Sequence, residues 1–159
     1  MIRFVASFIL GLGATILLLS SKKLKLSKDG VGIARFLMSL GYSKANASGI
    51  AGNLFVESSY NPTAIGDNGT SFGLAQWHKS RWERLKNWAS TNKLNPNTFE
   101  TQLLYIDWEL NNRESKAKEK LLNAKTPYDS AFVFAKYYER PAKISQLRMT
   151  KAEEIYKKL

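Results

Sequence analysis

The sequence predicts an all-α domain, or α+β at most if one small hairpin forms, and three observations carry that expectation. Beyond residue 30, apolar residues recur at helical spacing in segment after segment. No stretch shows the clean alternation of a half-buried strand. Turn formers are concentrated in one loop, Gly66-Asp67-Asn68-Gly69-Thr70-Ser71, so a small hairpin between Pro62 and Gln76 is the most the pattern allows.

The chain opens on an uncharged apolar run from Phe4 to Leu19. With Ile2, Ser20 and Ser21 it approaches the roughly 20 residues that cross a bilayer. Arg3 would suit a signal peptide, but no Ala-x-Ala-like cleavage site follows. Residues 1–21 are therefore read as a membrane anchor made of one N-terminal transmembrane helix. Lys22, Lys23, Lys25 and Lys28 make 22–30 a basic linker, and 31–159 the folded domain.

Within that domain, Val31 to Leu40 places Ile33, Phe36, Leu37 and Leu40 on one face and stops at Gly41, a helix C-cap signal. Ser43 is placed to cap a second helix through Ala47, Ile50, Ala51, Leu54 and Phe55 to Glu57. Gly49 and Gly52 in its interior each cost about 1 kcal/mol relative to Ala, which implies that another backbone packs against them. Ser80-Arg81-Trp82-Glu83 reads as a capping box opening a helix with Leu85, Trp88 and Ala89. Asn97-Thr98-Phe99-Glu100 reads as another N-terminus, followed by Leu103, Leu104, Trp108 and Leu110. Lys116 to Ala124 forms a short charged helix, and Thr126-Pro127 supplies a cap and a first-turn proline. Ala131, Phe132, Phe134, Ala135 and Tyr138 follow at mixed helical spacing, and a final helix runs from about Ser145 to Lys158.

Composition narrows the chemistry. Nineteen aromatic residues argue against a disordered chain, and the absence of Cys excludes disulfides and Cys-ligated zinc. His78, the lone histidine, is read as a surface residue, so no metal site and no cofactor are expected. The net charge of +11 points to a polyanionic neighbour such as a cell wall, anionic lipid or packaged DNA. No basic recognition helix appears, so no specific nucleic-acid partner is expected.

The chemistry-bearing stretch is Gly52 to Trp77. Glu57 ends an apolar helical run, and the chain must leave the helix before Pro62. Desolvation at such a helix end favours the protonated carboxyl that a general acid requires. Asp67 is either a turn residue bonding its own loop or a second carboxylate. Gln76 either satisfies loop backbone groups or holds a sugar N-acetyl group or a water. Trp77 is either a sugar-stacking platform or core, and Tyr138 and Glu139 either line a groove or pack inside. Glu109 and Trp108 read as structural.

The string Glu57-Ser58-Ser59-Tyr60-Asn61-Pro62 with Gly73-Leu74-Ala75-Gln76-Trp77 resembles the active-site signature of the phage tail-lysozyme family, related to soluble lytic transglycosylases and goose-type lysozymes. Glu100-Thr101-Gln102-Leu103, Trp108-Glu109-Leu110 and Tyr138-Glu139-Arg140-Pro141 are similar to it as well. The resemblance implies a lysozyme-like helical domain that cuts the MurNAc–GlcNAc β-1,4 bond of bacterial peptidoglycan, as lytic transglycosylase or muramidase. It implies Glu57 as general acid/base, Asp67 as the candidate second carboxylate, and Ser58, Gln76, Trp77, Tyr138 and Glu139 as substrate-binding residues. It also implies a phage virion context. There, lysines following the anchor keep the domain on the cytoplasmic side, which suits an internal virion membrane, with the host inner membrane or the periplasm as alternatives. Membrane lipid and capsid or other virion proteins are the further expected partners. The alternative is a catalytically silent, membrane-anchored structural or glycan-binding virion protein.

Overall fold

A computed structural model of the chain describes residues 27–159. The anchor expected over 1–21 lies outside the described residues. Among those described, no helix is long and apolar enough to cross a membrane.

The domain is built around its second helix. Helix α1 spans Gly30–Ser39 and is capped by Asp29, whose Oδ1 accepts from the Gly32 amide at 2.8 Å. Gly41, at φ +98°, makes the left-handed turn out of it. Helix α2, Lys44–Ser58, begins at Ser43, whose hydroxyl accepts from the Asn46 amide at 3.1 Å. Every residue from Ala45 to Leu54 is buried. A helix enclosed on all sides has no single apolar stripe, and here small residues make the enclosure possible. A Cβ on Gly49 would lie 2.5 Å from Ser130 Cβ, and one on Gly52 would lie 2.5 Å from the Arg148 carbonyl oxygen. These are the close backbone approaches that the two glycines imply.

Three two-residue strands follow, β1 (Ile65–Gly66), β2 (Ser71–Phe72) and β3 (Trp77–His78). They pair antiparallel in the order β1-β2-β3, with Ile65 opposite Phe72 and Phe72 opposite Trp77. The expected hairpin is thus a three-stranded sheet that extends one strand past Gln76. Helix α3, Lys79–Thr91, starts earlier than the capping-box reading places it: His78 occupies the N-cap and Ser80 lies inside the first turn. Helix α4, Phe99–Asn112, is capped by Thr98 rather than Asn97, so Glu100 sits one position too early to close a capping box. In both cases the β-sheet and the Asn95–Asn97 turn set where the chain can enter the helix.

Helix α5 covers Ser115–Asn123, and its last carbonyls are met by Asn46, whose Nδ2 donates to Leu121 O at 2.6 Å and Ala124 O at 3.2 Å. Helix α6, Pro127–Phe134, starts at Thr126 and its first-turn proline, as the sequence predicts. It widens into a π-helical segment, Ala135–Glu139, closed by Arg140 N donating to Ala135 O at 2.7 Å. That widened turn is why the apolar spacing there fits no single helical period. Helix α7 is Leu147–Lys158. Helices α1, α6 and α7 surround α2. On the other side, Phe72 stacks on Trp82 at 5.8 Å, Trp82 on Trp77 at 6.3 Å, and Trp77 meets Tyr105 edge-on at 5.8 Å. This aromatic series fixes the sheet to α3 and α4.

Candidate active site

Glu57 lies in the last turn of α2. Beyond Ser58 the backbone turns left-handed at Ser59 (φ 51°) and Tyr60 (φ 66°), an uncommon pair for residues other than Gly. Asn61 Oδ1 then accepts from the Thr63 amide at 2.9 Å, which sets the turn at Pro62. Ser58 Oγ donates to Leu54 O at 3.2 Å and to Leu74 O at 2.9 Å, tying the end of α2 to the loop between β2 and β3. A second clamp comes from α4. Gln102, fully buried, accepts from Leu74 N at 2.8 Å and donates to Pro62 O at 2.7 Å and Pro96 O at 2.9 Å. Gly73 faces it at φ +74°, where a Cβ would stand 2.7 Å from Gln102 Oε1.

The carboxylate itself does not stand alone at an apolar helix end, as the sequence had implied. Arg148 Nη1 is 2.6 Å from Glu57 Oε1, with side-chain exposures of 5% and 16%. The same Nη1 donates to Asn53 Oδ1 at 2.9 Å. Asn53 is fixed in turn, because its Nδ2 donates to Gly49 O and Ala131 O, both at 2.9 Å. A buried guanidinium needs such partners.

Glu139 is the last residue of the π segment. It is partly buried as a residue, but its Oε1 is buried and has no hydrogen-bond partner among the described residues. Burial, and then the neighbouring charge of Glu57, push the Glu139 carboxyl well above the usual carboxylate range, against the pull of Arg81 and Arg148.

Beside it lies a second network, centred on Glu109. This carboxylate, 1% exposed, meets Arg81 through Nη2 at 2.8 Å and Nε at 3.2 Å. It also accepts from the Tyr138 hydroxyl at 2.7 Å and from Trp77 Nε1 at 3.2 Å. Burial and the Glu109 charge hold the Tyr138 phenol well above its ordinary value.

Of the residues expected to meet substrate, Trp77 and Tyr138 are fully enclosed. A stacking platform needs an open ring face, so the core reading of both replaces the glycan-contact one. Gln76 is held at φ 44°, its Nε2 donating to Gly73 O at 3.0 Å. Its amide hydrogens thus serve the loop in this structure, as the Ser58 hydroxyl does. Asp67 is exposed at φ 48°, and its Oδ2 accepts from Ser71 Oγ at 2.6 Å, the geometry of a turn residue bonding its own loop. His78 is exposed, and among the described residues no group of acidic or histidine side chains could hold a metal ion.

Sequence reasoning missed Arg148, Asn53, Gln102 and Arg81. A signal existed for two of them. Arg148 shares the apolar face of α7 with Ala152 and Ile155, and Asn53 lies seven residues after Asn46 on buried α2. A polar residue on such a face must have a partner inside.

A family model described as phage tail lysozyme matches residues 31–159. The chain is also 33% identical over 140 residues to Morphogenesis protein 1 of Bacillus phage B103, an alignment covering 80% of this chain and 38% of that protein. The chain therefore spans about two fifths of the length of that relative.

Proposed function

The chain belongs to the phage tail lysozyme family, and from that membership we propose that it cleaves the MurNAc–GlcNAc β-1,4 bond of bacterial peptidoglycan, with Glu57 as general acid and then base. The observation that carries this reading is the fixed carboxylate at the end of α2, held by buried Arg148 on a helix end that Ser58 ties to the Gln102-clamped loop. In this mechanism Glu57 protonates the glycosidic oxygen while oxocarbenium-like charge develops at the anomeric carbon. The resulting carboxylate then takes a proton from the incoming hydroxyl. If that hydroxyl is the sugar's own, the product is a 1,6-anhydro end; if it is water, a reducing end. Asp67, the candidate second carboxylate, is engaged by Ser71.

A second reading, a structural virion component without activity, is favoured by the name of the phage B103 relative, a morphogenesis protein. Anchoring of this chain in a virion membrane through residues 1–21 is a proposal from sequence alone.

Mass spectrometry of peptidoglycan incubated with the protein separates the two readings. Released muropeptides with anhydro or reducing MurNAc ends are expected, and Glu57→Gln should lower their yield by about 10²–10⁴-fold with the circular dichroism spectrum unchanged. Intact wall with the native chain, or equal release by the variant, would overturn the assignment of Glu57.

A further inference from the structure

Helices α3 and α4 bound a cavity of about 330 Å³, lined by Arg84, Asn87, Trp88, Thr91, Trp108 and Arg113. That volume falls at the lower end of the range of small-molecule sites, about 300–1,000 Å³. We propose that the cavity is a second binding site for an anionic sugar, a pyranose ring bearing a carboxylate or phosphate, with Arg84 and Arg113 on the anion and Trp108 against the ring. Binding there is a function separate from bond cleavage.

The sequence builds the site from two helix faces. Arg84, Asn87, Trp88 and Thr91 recur at spacings of three and four, so they share one side of α3. Trp108 lies in the last turns of α4, and Arg113 is its C-cap. The floor is rigid and aromatic. Trp88 and Trp108 stand 6.1 Å apart, and Tyr105, fully buried beneath them, stacks on Trp108 at 5.5 Å. Trp108 is only partly buried, unlike Trp77, so it retains the accessible ring surface that a stacking platform needs.

Charge decides the ligand. Arg81, Arg140 and Arg148 are each paired with a carboxylate, at 2.8, 2.8 and 2.6 Å. Arg84 and Arg113 line the cavity without an ion pair among the described residues, and no acidic side chain lines it with them. The cavity beside α1 and α7 is different, because Asp29 and Glu154 there balance Lys151 and Lys158. Arg113 already lies over the Trp108 ring at 6.0 Å, which leaves its planar donors available to an oxyanion. One further polar group nearby is unmet. The Tyr105 hydroxyl is buried without a hydrogen-bond partner among the described residues. Burial, and then the Glu109 charge, raise this phenol to about 12, against the pull of Arg84. Asn87 adds an amide able to donate to and accept from sugar hydroxyl or N-acetyl groups.

Nuclear magnetic resonance of the full chain tests the site through the Trp108 indole N–H signal. Free N-acetylmuramic acid, a pyranose with a carboxylate, should shift it in a saturable way. N-acetylglucosamine, which lacks the charge, and acetate, which lacks the ring, should each bind at least about fivefold more weakly. N-acetylglucosamine 6-phosphate identifies the anion: tighter binding than N-acetylmuramic acid assigns the site to a phosphate-bearing glycan, weaker binding to a carboxylate-bearing one. Arg84 and Arg113 are exposed, so Arg84→Gln and Arg113→Gln should fold, and each should weaken binding by about three- to tenfold. Glu57→Gln should bind as the native chain does. An unmoved Trp108 signal with both charged sugars would overturn the proposal. So would equal affinity for N-acetylglucosamine, unchanged affinity in both arginine variants, or binding lost in Glu57→Gln. The probes contain no glycosidic bond to cleave, so this result and the catalytic role of Glu57 stand or fall separately.

Discussion

At the scale of single residues, burial separates carboxylates that the sequence writes with the same letter. Glu109 is enclosed but fully partnered, whereas Glu139 is partly buried, with one buried oxygen unmet. Removing the first should be costly. Glu109→Ala strands the Arg81 guanidinium's Nε and Nη2 and takes the acceptor from the Tyr138 hydroxyl, and breaking a buried pair from one side costs about 3–5 kcal/mol. Urea unfolding should show that loss as a lower midpoint at unchanged slope. Glu139 has the opposite signature. It holds its proton more tightly folded than unfolded, so its stabilising contribution is complete below the ordinary glutamate range, about 4.3. The contribution is lost as pH rises toward the raised folded value, by at most about 1.4 kcal/mol per pH unit. Glu139→Gln cannot ionise. Its stability relative to the native chain should therefore rise between about pH 5 and about pH 8, and parallel denaturation curves at the two pH values would read it.

Elements show a similar contest between local preference and surroundings. In an isolated helix Gly49→Ala or Gly52→Ala would add about 1 kcal/mol of helix propensity. In α2 a new methyl at position 49 meets Ala131 N of α6 at 2.6 Å, and one at position 52 meets Arg148 O of α7 at 2.5 Å. Overpacking of about 1–3 kcal/mol should win, and both variants should melt at lower temperature than the native domain. A rise in melting temperature would mean that α6 and α7 can move away from α2. The N-termini of α3 and α4 also answer to context. Their capping-box spacings are legible in the sequence, but the sheet delivers the chain to α3 at His78, and Thr98 takes the cap of α4.

Across the whole molecule the relevant quantity is charge. Residues 31–159 carry 19 basic and 12 acidic side chains, so the domain alone is near +7. An anionic wall should attract it, and that attraction should weaken as the Debye length falls to about 8 Å at physiological salt. The Glu57–Arg148 pair is largely shielded from solvent and is screened much less. Binding to whole peptidoglycan should therefore decline between about 20 and about 300 mM salt, while cleavage of a short soluble oligomer stays nearly constant. Sedimentation of wall-bound protein and product release from the oligomer measure the two separately. Equal salt sensitivity would mean that the basic surface does not steer the domain to the wall.

The sequence by itself determined the helical class, the caps at Ser43 and Thr126, the turn at Gly41 and the tight packing at Gly49 and Gly52. It also placed Glu57 at a helix end before a turn-rich loop. All of these follow from local periodicity, side-chain hydrogen bonding to nearby backbone, or the steric demands of Gly and Pro. What surrounds Glu57 could not be read that way. Arg148 is 91 positions away, and nothing in the local pattern shows that α6 widens into a π turn ending at Glu139. Whether Trp77 and Tyr138 face a glycan or the core depended on the helices closing over them, and they close completely. Electrostatic partners and burial are products of chain crossing, and only the tertiary structure brings α2, α6 and α7 together around one carboxylate.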